Sequence, residues 1–213
     1  MADLHDYKFT PYRPHPWHGI SRGPQPPATV HAYIEITPFD VIKYEIDRRT
    51  GYIRVDRPQA SSSLPPALYG IVPQTLAGRR VAAMCPETDE ADGDPIDICV
   101  VSEPRINRSE VLLTARIIGG LSTLDSGRAD DKLVAVLEKD PVWGDVNELE
   151  DLPERLVDRL HHYFSTYKLD PTTDENPVRI LGRYDRKRAL EIVQASMADY
   201  DERFAEGRDA EGV

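Results

Sequence analysis

Residues 30–57 read VHAYIEITPFDVIKYEIDRRTGYIRVDR, and this stretch decides the fold class. Ala32, Ile34 and Ile36 alternate with Tyr33 and Glu35. Ile42, Tyr44 and Ile46 alternate with Lys43 and Glu45, and Ile53 and Val55 with Tyr52, Arg54 and Asp56. A period of two is the signature of strands with one face in a core. Thr50-Gly51 lies between two of these runs and reads as a hairpin turn. Further strands are expected at 96–101, 111–118 and 132–137, which are rich in Val, Ile and Leu. The last third changes period. Leu156, Leu160, Phe164 and Tyr167 recur at helical spacing behind Pro153, and Leu190, Val193, Met197 and Tyr200 form a second stripe. Short strands followed by helices predict an α+β domain around a barrel-like or strongly curved sheet.

The chain has 213 residues, enough for one domain of ordinary size. With 26 basic and 37 acidic residues its formal charge is −11, which excludes a general nucleic-acid binder. No apolar run reaches the roughly 18 residues of a membrane helix. The start, MADLHDYKFTPYRP, has neither a basic nor an apolar leader region, and Cys85 and Cys99 make no disulfide framework. Both point to the cytoplasm. Residues 1–29 stand apart as an extended arm, broken by Pro11, Pro14, Pro16, Pro24, Pro26 and Pro27. His15-Pro16-Trp17-His18 suggests either a metal site or a Trp docked on a neighbouring surface; the second is the simpler expectation. Residues 30–200 form the domain proper, and 201–213 an acidic, solvated tail.

The sharpest local feature is Pro86–Asp97, PETDEADGDPID, with six acids and no base. An acidic surface loop is the plain explanation of such a run. Here, however, the run passes straight into Ile98-Cys99-Val100-Val101, and Gly93 and Pro95 fix its backbone. Two carboxylates held ~4 Å apart repel by about 4 kcal/mol at an effective dielectric near 20. A divalent cation removes that cost, and oxygen ligands suit Mg²⁺, Mn²⁺ or Ca²⁺. Asp125, Asp130 and Asp131 form a second acidic group before the strand that begins at Lys132. Carboxylates for a metal, with Lys, Arg and Tyr for oxyanions, point to phosphoryl transfer to water. No P-loop, GxSxG or cysteine-nucleophile pattern is present.

Asp92-Gly93-Asp94-Pro95-Ile96-Asp97 resembles the signature of the family I soluble inorganic pyrophosphatases. Collinear segments extend the resemblance: Ile34-Glu35-Ile36, Ile42 to Asp47, Val55-Asp56-Arg57, Tyr69-Gly70, Asp125 through Asp130 to Val136, and His162-Tyr163-Phe164 through Tyr167-Lys168. Together they cover 32–73 and 91–200. The resemblance implies a small OB-like five-stranded β-barrel core with flanking C-terminal α-helices. It also implies hydrolysis of pyrophosphate, taken as its magnesium complex, to two orthophosphates by metal-activated water. Several Mg²⁺ ions per site are implied, with Mn²⁺ a substitute. A homo-oligomer is expected, hexamer favoured and dimer possible.

By the same resemblance Asp92, Asp97 and Asp130 match the main metal ligands. Asp125 matches a ligand of an ion that arrives with substrate, and Glu35 a position holding a further metal or its waters. Asp94 matches the carboxylate that orients or deprotonates the attacking water, and Tyr69 a tyrosine near it. Lys43, Arg57, Lys132, Tyr167 and Lys168 match phosphate-binding groups, with Glu45 and Asp56 behind them. Two features depart from the family pattern. Leu64-Pro65-Pro66-Ala67-Leu68 replaces the usual aromatic, proline and asparagine, and 76–91 is longer than in the short bacterial form. The alternatives are a magnesium phosphohydrolase acting on organic or nucleoside diphosphates, and a non-catalytic polyphosphate- or metal-binding module.

Overall fold

In the computed structural model the described residues are 13–59, 62–170, 172–173 and 175–208. The first twelve residues of the arm and the last five of the tail lie outside them. Among the described residues nine strands form: β1 (Thr29–Ile36), β2 (Ile42–Ile46), β3 (Ile53–Pro58), β4 (Leu68–Ile71), β5 (Asp97–Val101), β6 (Val111–Asp125), β7 (Arg128–Ala129), β8 (Lys132–Leu137) and β9 (Val178–Tyr184). The helices are α1 (Arg79–Ala82), α2 (Glu154–Thr166) and α3 (Arg186–Arg208).

Five strands close on themselves. β1 pairs with β4, β4 with β5, β5 with β8, β8 with β6, and β6 returns to β1. Only β5–β8 is parallel. The ring is close to an OB-like barrel, as the resemblance implied. Closure removes the open edges that sheets otherwise have to protect. The 15-residue β6 is long enough to pair with β1, β7, β8 and β9 in turn.

The ring strands are buried on both faces, so they read as continuous apolar runs. Ile98, Val100, Leu133 and Ala135 pack in one cluster with Ala189, Ile192 and Val193 of α3. Cys99, Val101, Val134 and Val136 pack in another with Val157, Leu160 and Phe164 of α2. The alternation in β1 predicted a single buried face. In fact Tyr33 and Glu35 are buried as well as Ala32, Ile34 and Ile36, because the arm and the β2–β3 hairpin cover the second face. That hairpin is a separate two-stranded sheet. Its turn is tied by Asp47, whose Oδ1 accepts from the Thr50 N–H and hydroxyl at 2.8 and 2.7 Å.

Trp17 docks as the arm reading expected. It is buried against Tyr200 and Phe204 of α3, and its Nε1–H donates to the Thr75 carbonyl at 2.7 Å. His18 stacks on Trp17 and shares a 2.7 Å hydrogen bond with the Tyr200 hydroxyl. The first part of the acidic tail is helical, since α3 continues through Asp201–Arg208. Phe204 supplies the reason: it packs on Trp17, His18 and Tyr200. Trp17→Ala should therefore lower the unfolding free energy in urea by about 3 kcal/mol, as for other buried Trp truncations. An unchanged midpoint would mean that the arm contributes nothing to the fold.

The longer 76–91 segment contains α1, whose Arg80 and Val81 N–H groups donate to Asp199 of α3. Arg80 pairs with Asp199 and Glu202, and Arg79 with Glu202. The segment is therefore fastened to α3.

Candidate active site

One cavity of about 510 Å³ collects most of the residues singled out by the sequence. Each ring strand and the hairpin deliver some of them. β1 supplies Glu35, β4 Tyr69, β5 Asp97 and β8 Lys132. The loop before β5 brings Asp92 and Asp94, the end of β6 brings Asp125, and Asp130 precedes β8. Lys43 and Glu45 come from β2, and Tyr167 and Lys168 follow α2. The parallel register sets Asp97 opposite Lys132, so the first residues of two buried strands meet at the cavity floor.

Lys132 is the centre of the floor. Its side chain is 1 % exposed and donates to Asp97 and Asp130, the latter at 2.5 Å. Burial opposes its charge, but the two carboxylates outweigh burial and hold its pKa well above the ordinary lysine value. Asp97 also accepts a hydrogen bond from the Tyr69 hydroxyl. Glu35 is buried beside them, and its Oε1 accepts the Ile46 N–H at 2.8 Å, joining β1 to the hairpin. Burial, and then the charge of Asp97, push the Glu35 carboxyl up to about 8. Asp92 and Asp130 are raised by burial too, with neighbouring carboxylates adding to it. The Asp92 Oδ1 accepts the Asp94 N–H at 2.9 Å, which fixes the acidic loop.

The remaining cations are also matched to carboxylates. Lys43 donates to Glu45 at 3.3 Å and to Asp56 at 3.0 Å. Lys168 pairs with Asp125, holding that carboxyl below its ordinary value although burial opposes it. Asp56 and Arg57 do not line the cavity. Arg57 lies opposite Lys43 in the hairpin and pairs with Asp56 at 2.6 Å, one layer back. Trp17, Arg48, Arg49 and Arg54 line the cavity and were not singled out as site residues. Arg54 pairs with Glu45 at 2.6 Å. The adjacent basic residues Arg48-Arg49 beside the Thr50-Gly51 turn were the available signal.

The donors suit a hard divalent ion: oxygen only, anionic, and crowded enough to raise one another's pKa. Among the described residues, no three such side chains converge on one point as a finished cage. Lys132 supplies the compensating charge between Asp97 and Asp130.

The inorganic pyrophosphatase family model matches residues 32–201. The chain belongs to this family. It is 41 % identical over 195 residues to the inorganic pyrophosphatase of Chlamydia muridarum, covering 87 % of this chain and 93 % of that one. Soluble inorganic pyrophosphatase 1 of Arabidopsis thaliana is 33 % identical over 188 residues, covering 88 % and 81 %. In three dimensions the chain is similar to the inorganic pyrophosphatase of Thermus thermophilus, with a TM-score of 0.74 and 31 % identity over 85 % of this chain and 97 % of that one.

Proposed function

We propose that this enzyme hydrolyses inorganic pyrophosphate, bound as its magnesium complex, to two orthophosphates. The observation that carries the reading is the single cavity in which Asp92, Asp97, Asp130, Asp125 and Glu35 face Lys43, Lys132 and Lys168. Carboxylates alone would repel a diphosphate, and cations alone would hold no metal. Their juxtaposition takes both.

When bound, Mg²⁺ ions supply Lewis acidity and lower the pKa of water. Asp92, Asp97 and Asp130 would hold the main ions, Asp125 an ion entering with substrate, and Glu35 a further one or its waters. Asp94 orients the attacking water and accepts its proton. The water oxygen bonds to one phosphorus while the bridging P–O bond breaks, and the electron pair leaves with the second phosphate. Lys43, Lys168 and Tyr167 bind phosphate oxygens, and Lys132 neutralises charge from the floor. Tyr69 steadies Asp97, and Arg57 acts on the phosphate from behind Lys43 and Asp56. Mn²⁺ substitutes for Mg²⁺ on this oxygen-only donor set.

The altered 64–68 segment bears on substrate choice. Pro66, Ala67 and Leu68 line a different groove, with Phe39 and Trp143. The cavity wall therefore owes nothing to those three, and the relatives, which are inorganic pyrophosphatases, favour inorganic pyrophosphate over nucleoside diphosphates. Among the described residues no helix is long and apolar enough to cross a membrane. Free Cys85 and Cys99 suit a reducing cytoplasm. The resemblance supports a homo-oligomer, hexamer before dimer, which light scattering would weigh.

Phosphate release should be rapid from pyrophosphate with excess Mg²⁺, abolished by chelator and restored by Mg²⁺ or Mn²⁺, with much slower release from nucleoside diphosphates. No release from pyrophosphate would leave the non-catalytic binding module as the better reading.

A further inference from the structure

The cations that line the cavity are not equally committed. Lys132 is 1 % exposed between two carboxylates, and Lys43 is held by two more. Arg48 differs from both. Its side chain is 61 % exposed, and its recorded ion pair is with Asp94, itself 36 % exposed. An exposed pair of this kind is worth at most about 1 kcal/mol. A guanidinium on a phosphate group is stronger, because its planar fork meets two oxygens at once. Exchange of Asp94 for a phosphate is therefore favourable at Arg48, and costlier for the buried Lys132.

The backbone beneath Arg48 is anchored while its side chain is not. The Gly51 N–H donates to the Asp47 carbonyl at 2.8 Å across the turn. Gly51 has φ +73°, and a Cβ there would lie 2.7 Å from Pro16 Cδ and 2.9 Å from His15 Cδ2. The arm thus presses directly on the hairpin tip, next to Trp17 in the cavity wall. From this turn the Arg48 side chain reaches Asp94.

We infer that Arg48 is a substrate-binding residue that exchanges Asp94 for an outer oxygen of the diphosphate, closing over the substrate and uncovering Asp94 for the water. The inference rests on the pyrophosphatase reading and adds to it a phosphate ligand from the hairpin tip. Two states follow. Without substrate, Arg48 screens Asp94 from the other cavity carboxylates. With substrate, the guanidinium moves to the anion, and Asp94 faces the reacting phosphorus.

Steady-state phosphate release from pyrophosphate, measured for wild type, Arg48→Ala and Arg48→Lys, tests it. Arg48→Ala should raise KM roughly tenfold or more, the loss of a charge-assisted hydrogen bond, with kcat within about twofold. Arg48→Lys should recover part of the affinity, since it keeps the charge but not the fork. Calorimetric titration with magnesium methylenediphosphonate, a non-hydrolysable analogue, should show the same weakening in Arg48→Ala. The melting temperature should stay unchanged, as for any exposed pair. An unchanged KM together with unchanged analogue affinity overturns the inference. So does a fall in kcat at constant KM, which would confine Arg48 to acting through Asp94. If wild type releases no phosphate, the hydrolysis reading fails separately, and the analogue titration still decides whether Arg48 binds the diphosphate.

Discussion

Asp97→Asn is expected to lower pyrophosphate turnover at saturating Mg²⁺ by at least about 10²-fold, since even partners of metal ligands are worth 10–100-fold. Asp97 opens β5 at the cavity floor, where it accepts from Tyr69 and Lys132. The amide keeps the volume but offers a single neutral acceptor. The fold should survive, because Lys132 retains Asp130 and the β5 core residues Ile98 to Val101 are untouched. Circular dichroism and urea unfolding on the same sample separate loss of chemistry from loss of structure. Turnover near the wild-type level with the same Mg²⁺ dependence would remove Asp97 from the proposed ligand set.

Lys132→Met has the largest expected effect on stability. Deleting a buried ammonium leaves Asp97 and Asp130 facing each other without compensation, and breaking a buried ion pair typically costs 3–5 kcal/mol. Asp97 retains some exposure, which places the expected loss near the lower end, about 3 kcal/mol in chelator. Excess Mg²⁺ should return much of it, since a divalent cation supplies the missing charge to the same carboxylates and stabilises the native state by mass action. Urea unfolding of wild type and variant, each with chelator and with Mg²⁺, reads both quantities. Equal destabilisation in the two conditions would mean that the carboxylates around Lys132 do not bind the metal.

The sequence made the ring strands legible where apolar residues run together, as in Ile98–Val101 and Leu133–Val136, because both faces are buried. It was less informative where tertiary partners decide. Leu68–Ile71 and Val178–Tyr184 become strands by pairing with β5 and β6, and neither alternates cleanly on its own. Pro153 stands just before α2, at its N-cap, where a missing N–H costs nothing. The stripe read on α3 is rotated: Ala189, Ile192 and Ser196 are buried with Val193 and Tyr200, whereas Leu190 and Met197 are only partly covered. At the site, the acidic signature and Lys132 were evident from spacing and resemblance. Arg48 was not, since a charged turn residue carries no periodic signal and its meaning depends on the tertiary contact with Asp94.

The union of Trp17 and His18 with Tyr200 and Phe204 has a temporal consequence during synthesis. His18 waits for a partner 182 positions downstream, which at 5–20 residues per second is roughly ten to forty seconds of translation. Until the last helix clears the ribosome, Trp17 can reach Thr75, Tyr33 and Ile71, but the rings of Tyr200 and Phe204 that complete its cover are missing. Nascent chains stalled before Tyr200 should be cut by protease near Trp17, and released full-length chains should resist.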